Sequence, residues 1–285
     1  MIEKLLELVQ EHVILNEEER QVWRKRIETE DRFILIKDQE TILGGLSYEF
    51  WTYHEDVLSC SILCACEKDE KALLKCREAI HHFIQSHPEI QMFSSRVCDT
   101  RQDIHKVYDA LGFKAWYDYM TMLEYEPIEL TSPHQLSVRN IEAEDFEMVF
   151  KHMGECFVWM RETVDIKPFN VVDKLWASED KKQASFDEWI KEKENTFVYF
   201  DQGEFIGSGL ILENGDIDDV FVVIKHQGKG YGKAIIIDLI ERVKARGQSP
   251  MIGYVGVNER AGRLYHNCGF KLTQHAHYIR MFTKR

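Results

Sequence analysis

Gln227-Gly-Lys-Gly-Tyr-Gly232 sets three glycines, Gly228, Gly230 and Gly232, within five residues, directly after an apolar run that ends Val222-Val223-Ile224. A helical stretch starts at Lys233, where Ile236, Leu239, Ile240 and Val243 fall at i, i+3, i+4 and i+7. Strand, glycine turn and helix start together present bare backbone N–H groups to an anion such as a phosphate. Glycines let the backbone come close to that anion in conformations a Cβ forbids. Lys229 and Lys233 either add positive charge there or are ordinary solvated lysines. Upstream, Asp216, Asp218 and Asp219 open the same strand, and period-two alternation puts Asp216 and Asp218 on one face and Asp219 on the other.

The elements around this turn occur twice. In the second half Thr196-Phe-Val-Tyr-Phe, a turn at Asp201-Gln-Gly and Phe205 to Leu212 read as a β-hairpin. In the first half Phe33-Ile-Leu-Ile-Lys, a turn near Asp38 and Thr41 to Tyr48 read the same way. Each hairpin leads to a strand, a helix, a second strand and a short helix ending in Tyr-x-x-x-Gly-Phe, at Tyr108 and at Tyr265. A final apolar strand closes each half. The pattern predicts two related α/β domains, residues 1–126 and 136–285, joined by a Pro-bearing linker at 127–135. The alternative is coincidence between two ordinary α/β patterns. From Ser47 to Leu111 the first half has no glycine, and Glu67-Lys-Asp-Glu-Lys stands where the second half has its turn. That acidic segment with full side chains opposes an anion, so the first domain is expected to keep the scaffold without the site.

Composition sets outer bounds. A formal net charge of −13 argues against non-specific nucleic-acid binding, which rests on Lys and Arg, and is compatible with cationic partners. No apolar run approaches the roughly 20 residues that span a bilayer, and the acid-studded N-terminus is a poor signal peptide, so a cytoplasmic protein without membrane contact is the expectation. Seven cysteines, one pair as Cys64-x-Cys66, form no disulfide or zinc pattern; reduced, buried thiols and no metal are expected.

Gln227-Gly-Lys-Gly-Tyr-Gly fits Gln/Arg-x-x-Gly-x-Gly/Ala, and Asn258-Glu-Arg-Ala-Gly-Arg-Leu-Tyr-His-Asn-Cys-Gly-Phe270 fits Asn-x-x-Ala-x-x-Leu-Tyr-x-x-x-Gly-Phe. Both motifs, in order and separated by a helix and a strand, resemble the GNAT superfamily of acyl-CoA N-acyltransferases. The resemblance covers Leu136 to the C-terminus, with the first half as a degenerate copy. It implies an α/β fold, a mixed sheet with flanking helices, as two tandem GNAT-like domains. It further implies an acetyl-CoA-dependent N-acetyltransferase with one active site per chain and an amine acceptor, either a small molecule or a peptide. The alternative is an acyl-CoA-binding sensor without turnover.

By the same resemblance, Gln227, Gly228, Lys229, Gly230, Tyr231, Gly232 and Lys233 hold the CoA pyrophosphate. The strand around Phe221–Ile224 splays from its parallel neighbour, and Val222, Val223 and Ile224 meet the pantetheine arm. An N–H near Val222 or Val223 then polarises the thioester carbonyl. Asn258 meets the CoA arm, which does not conflict with capping its helix. Tyr265 protonates the leaving thiolate, or else is a core aromatic as Tyr108 is expected to be. Asp218 or Asp216 accepts the amine proton, or else marks a solvated strand entry. His226 and His266 are expected at the surface. Phe157, Trp159, Met160, Trp176 and Trp189 either line the acceptor pocket or pack between helices. Two domains in one chain favour a monomer over a homodimer.

Overall fold

The computed structural model describes residues 1–13, 17–53 and 57–283. It divides into two compact units, Met1–Asp118 with Gln274–Arg285, and Tyr119–Thr273. In chain order the elements are α1 (Ile2–Gln10), α2 (Glu17–Thr29), β1 (Phe33–Asp38), β2 (Thr41–Thr52), β3 (Leu58–Cys66), α3 (Glu70–Ser86), β4 (Met92–Cys98), α4 (Gln102–Ala110) and β5 (Lys114–Met122). Then follow β6 (Glu124–Tyr125), β7 (Ser137–Asn140), α5 (Phe146–Thr163), α6 (Val171–Leu175), α7 (Glu179–Trp189), β8 (Thr196–Asp201) and β9 (Glu204–Ile211). The chain closes with β10 (Asp216–Val222), α8 (Tyr231–Ala245), β11 (Met251–Val255), α9 (Glu259–His266), β12 (Phe270–Lys271) and β13 (Gln274–Phe282). Both units are mixed sheets flanked by helices, as the sequence pattern requires. No helix among the described residues is long and apolar enough to cross a membrane.

In the first unit β1, β2 and β3 run antiparallel, and β3 pairs parallel with β4 over Ser59–Ser61. Its core joins the inner face of that sheet to α3 and α4 through Ile62, Ile80, Phe83, Phe93, Tyr108 and Phe113. In the second unit β7, β8, β9 and β10 run antiparallel. The parallel partner of β10 is β11. One face packs the α8 stripe Ile236, Leu239, Ile240 and Val243 against Ile206, Ile217 and Ile252. The other packs Val149 and Cys156 of α5 against Val198 and Phe221.

The last strands depart from expectation. β13 pairs with β4, from Ala276↔Cys98 to Phe282↔Met92, inside the first unit. Conversely, Tyr119–Met122 of β5 pairs with β11 inside the second. Each half of the sequence therefore supplies the closing strand of the other unit, so the units differ from the expected 1–126 and 136–285. Apolar alternation marks a strand but carries no label for its partner, and two homologous edges accept either copy. The cysteines also differ in one pair: Cys64 of β3 and Cys76 of α3 are disulfide-bonded, while Cys60, Cys66, Cys98, Cys156 and Cys268 are free and buried.

Arg101, just before α4, is wholly buried. Its guanidinium donates to both oxygens of Asp103 at 3.0 and 2.9 Å, to Glu11 Oε2 at 3.0 Å and to the Cys66 carbonyl at 2.9 Å. A buried cation persists only when paired this completely. Beside it, burial and the guanidinium push His12 down to about 3, which keeps the imidazole neutral. Arg101→Ala should destabilise the first unit by roughly 3 kcal/mol, since truncating one partner strands the others. Urea denaturation followed by tryptophan fluorescence measures this, and a loss below about 1 kcal/mol would show the network to be dispensable.

Candidate functional site

The parallel ladder between β10 and β11 lasts two residue pairs, Asp216↔Met251 and Ile217↔Ile252, and then opens. A β-bulge accompanies the departure. Between Asp218↔Leu210 and Phe221↔Ser208, three steps along β10 face two along β9, and Asp219 takes φ +48°. The extra residue bends and twists the strand away from β11. Past the bulge, Val223 N–H donates to Ile206 O at 2.8 Å. Hydrogen-bonded and open pairs alternate in an antiparallel ladder, so the neighbouring Val222 turns its N–H toward the opening. The expectation of a free N–H at Val222 or Val223 thus narrows to Val222.

Two arms of one cleft meet at this opening. Val220, Asn258, Tyr265, Phe157 and Met160 line both. The first arm continues along Val222, Gln227, Gly228, Gly232, Ala261 and Leu264. The second continues along Asp218, Asp219, Tyr254, Tyr119, Met153 and Arg161.

At the mouth of the first arm, Gly228 and Gly230 adopt φ +77° and +92°, where side chains are strained. Gly230 caps α8 with no side-chain hydrogen bond; Lys233 N–H donates to Gly230 O at 3.1 Å, and the N–H groups of Tyr231 and Gly232 are left to an outside acceptor. Gln227 Nε2 donates to Val222 O at 2.9 Å and ties the loop to the strand end. His134, expected in a bare linker, instead donates through Nε2 to Lys229 O at 2.7 Å and stacks on Tyr231 at 4.0 Å between ring centroids. Tyr231 hydroxyl in turn donates to Asp201 at 2.7 Å. Lys229, Gly230, Tyr231 and Lys233 build the loop and helix start without lining the cleft, Val223 is buried in the core, and Ile224 is exposed.

Asn258 Oδ1 accepts from Ala261 N at 3.3 Å, so the capping role holds, and the residue also faces both arms. Tyr265 is buried, and burial with Tyr119 and Asp218 nearby drives its hydroxyl well above the ordinary phenol range. Tyr108, its counterpart in the first unit, is plugged: its hydroxyl accepts the Cys64 N–H at 3.2 Å. There too, Asp69 caps α3 by accepting from Lys71 N and Ala72 N, which occupies the donors that α8 leaves open.

Of the three aspartates, Asp218 and Asp219 reach the second arm, whereas Asp216 does not line it. Period-two alternation predicts Asp218 and Asp219 on opposite faces; the bulge overrides it. Asp218 Oδ1 accepts from Asp219 N at 2.8 Å. Asp219 is exposed in the cleft, with protein packed near enough to its carboxyl to cost it solvation. That desolvation, with Asp218 as a like-charged neighbour, raises it to about 6, and Asp216 rises to about 6 for the same two reasons.

His266 is exposed as expected, but His226 is buried, its Nε2 3.4 Å from Glu204. Trp176 and Trp189 pack on Phe146 as half-buried helix aromatics, while Trp159 faces the first arm. Sequence reading missed Tyr119 and Tyr254. Both stand against glycines: a Cβ on Gly253 would come 2.4 Å from Tyr119 Oη, and one on Gly262 2.5 Å from Tyr254 Oη. Those glycines are the available signal, though one partner arrives on a strand from the other half.

Residues 147–270 match the family described as Acetyltransferase (GNAT) family. Among solved structures, the fold resembles a GCN5-related N-acetyltransferase from Sphaerobacter thermophilus, with TM-score 0.68, 13% identity and coverage of 94% of this chain and 86% of that one. It also resembles a GNAT-family acetyltransferase from Colwellia psychrerythraea, with TM-score 0.56, 11% identity and coverage of 99% and 95%. A third neighbour is the glucosamine N-acetyltransferase region of a fungal multi-domain GH3 β-N-acetylglucosaminidase, with TM-score 0.56, 12% identity and coverage of 86% and 32%. No curated protein sequence matches the chain.

Asp218→Asn should lower the titration midpoints of both Asp216 and Asp219 toward the ordinary value near 4, because it removes the shared repulsion. Carboxyl-carbon NMR across pH reads both directly. Midpoints that stay near 6 would assign the whole shift to desolvation.

Proposed function

We propose that the second unit, whose residues 147–270 match the Acetyltransferase (GNAT) family, transfers an acetyl group from acetyl-CoA to a primary amine. The observation that carries the reading is the ladder that opens after two pairs, with uncapped helix donors at one end and Tyr265 at the junction. The start of α8 supplies N–H groups and the positive end of a helix dipole to the pyrophosphate. The opened edge of β10 offers main-chain pairing to the pantetheine arm, and Val222 N–H meets the thioester carbonyl oxygen.

The amine enters by the second arm and attacks the carbonyl carbon. The Asp218–Asp219 pair, directly or through water, first takes the ammonium proton and so frees the attacking lone pair, and the second N–H proton is lost to water as the adduct collapses. As the tetrahedral adduct collapses, the carbon–sulfur bond breaks and the Tyr265 hydroxyl protonates the departing thiolate. Two acids and four aromatic rings in that arm suit a cationic amine on an apolar or sugar-like body. The first unit, with Asp69 over its helix donors and Tyr108 over its strand N–H, is a non-binding copy.

Calorimetry with acetyl-CoA should give one site per chain, and Gly230→Val should abolish it through strain at φ +92° and contact with Pro133 and His134. Tyr265→Phe should keep that binding while lowering kcat by about 10- to 1000-fold in a free-thiol assay across amines, polyamines and aminosugars. Two equivalent sites, or a full-rate Tyr265→Phe enzyme, would overturn the reading. Binding without turnover on any amine would instead favour an acyl-CoA sensor.

The pH dependence has a definite sign. A base must be unprotonated to act, so kcat/KM should rise tenfold per pH unit below about 6 and level off above it. Asp219→Asn should remove this limb together with most of the activity. Asp216→Asn should leave both, since Asp216 stands off the cleft.

A further inference from the structure

We propose that the first unit binds a divalent transition-metal ion between Asp118, His275 and His277. β13 carries the two histidines two residues apart, hence on one face of the strand. Asp118 is the last residue of β5 that belongs to the same unit, and β5 neighbours β13 in the sheet. The three side chains each offer one ligand atom, and these atoms all lie within 4.8 Å of one another. His277 Nδ1 is 2.9 Å from Asp118 Oδ1, and His275 Nε2 is 3.5 Å from Asp118 Oδ2.

Ligand atoms held 2.0–2.2 Å from a tetrahedral ion stand about 3.3 Å apart. The two Asp–His spacings bracket that value and the two imidazole nitrogens lie within 4.8 Å of each other, so an ion enters with side-chain adjustments. The donor set selects the class of metal. Two imidazoles and one carboxylate suit Zn²⁺ and its first-row neighbours, whereas Ca²⁺ and Mg²⁺ take oxygen ligands. Solvent reaches the site on one side, where the Asp118 side chain is 48% exposed, and that leaves room for a fourth ligand from water.

A second observation points the same way. His275 Nε2 is buried from solvent and has no hydrogen-bond partner, a costly state for a ring nitrogen that a metal bond would relieve. A plain His–Asp network explains the His277 contact, whereas the 3.5 Å approach of Asp118 Oδ2 to His275 Nε2 does not make a hydrogen bond. On the remaining side, the His105 ring stands 5.6 Å from that of His277, with Nδ1 held 3.2 Å from Asp109, and it walls the site. Sequence reading expected no metal because the carboxylate is 159 residues from His277 and is brought there by the exchange of closing strands. The site belongs wholly to the first unit, and its test does not depend on the acetyl-transfer reading.

The full-length chain, stripped with a chelator and dialysed, is titrated with Zn²⁺ by calorimetry and melted with and without the ion. One equivalent should bind and raise Tm. His275→Ala, His277→Ala and Asp118→Asn should each weaken binding by more than the roughly 10- to 100-fold that outer-shell changes cost, and should abolish the Tm shift. His82→Ala, exposed on α3, should change neither. Circular dichroism of the metal-free variants separates lost binding from lost folding. Co²⁺ in place of Zn²⁺ should give visible d–d bands without a thiolate charge-transfer band, since Cys64, Cys66 and Cys76 form the other ligand-rich cluster among the described residues. Absent binding, binding retained in the His275→Ala/His277→Ala double variant, or a thiolate band would each overturn the proposal.

Discussion

One extra residue in β10 decides what the second unit can hold. Parallel strands that stay paired bury their main-chain groups in each other and leave nothing for a ligand. Here the bulge at Asp219 turns the strand after two pairs, and backbone groups that would have met β11 face a cleft instead. The cost is an unpaired strand edge and a non-glycine residue at positive φ, strain that persists only where neighbours enforce it. Enforcement comes from both ends. Asp218 accepts the Asp219 N–H inside the bulge, and Gln227 and Cys156 hold the Val222 carbonyl beyond it.

The first unit shows what the same scaffold does without that arrangement. Its parallel ladder also ends early, after Ser61↔Ser94, so splaying belongs to the scaffold. What differs is what fills the gap. Tyr108 hydroxyl takes the Cys64 N–H, Arg101 takes the Cys66 carbonyl, and Asp69 takes the donors at the start of α3. These donors and acceptors are satisfied by the chain itself, which lowers the cost of burying them. The tyrosine at the same motif position is thus an internal plug in one unit and a cleft-lining residue in the other.

Much of this was legible in the residues. Glycine spacing, the Asn258 and Tyr265 motif and the doubled element order each express local physics: backbone conformation, helix capping and hydrophobic period. What stayed hidden depends on non-local partners. Period-two counting separated Asp218 from Asp219, because a bulge is visible only when the facing strand is counted too. The linker was read from its prolines as unstructured, whereas His134 is fixed by a carbonyl and a ring that lie close to 100 residues downstream. The closing strands exchanged units because apolar alternation fits either edge equally well, and with them went Tyr119 into one site and His275 and His277 into the other unit.

Two titrating groups of the cleft are shifted in the same direction by the same cause. Desolvation acts on Tyr265 and on Asp219 alike, but it favours the neutral form of each from opposite sides of neutrality. The phenol is held protonated throughout the physiological range, the state that the proposed transfer needs. The carboxylate, raised to about 6, is still ionised at pH 7 but has become a stronger base than a solvated aspartate. Under the proposed reaction, desolvation of both groups leaves a protonated phenol and an ionised carboxylate at a single junction. A wetter cleft would return both groups to their ordinary values, weakening the acceptor as a base and costing the donor its guaranteed proton only at high pH. The sensitivity therefore falls on the aspartates, and so on the bulge that places them there.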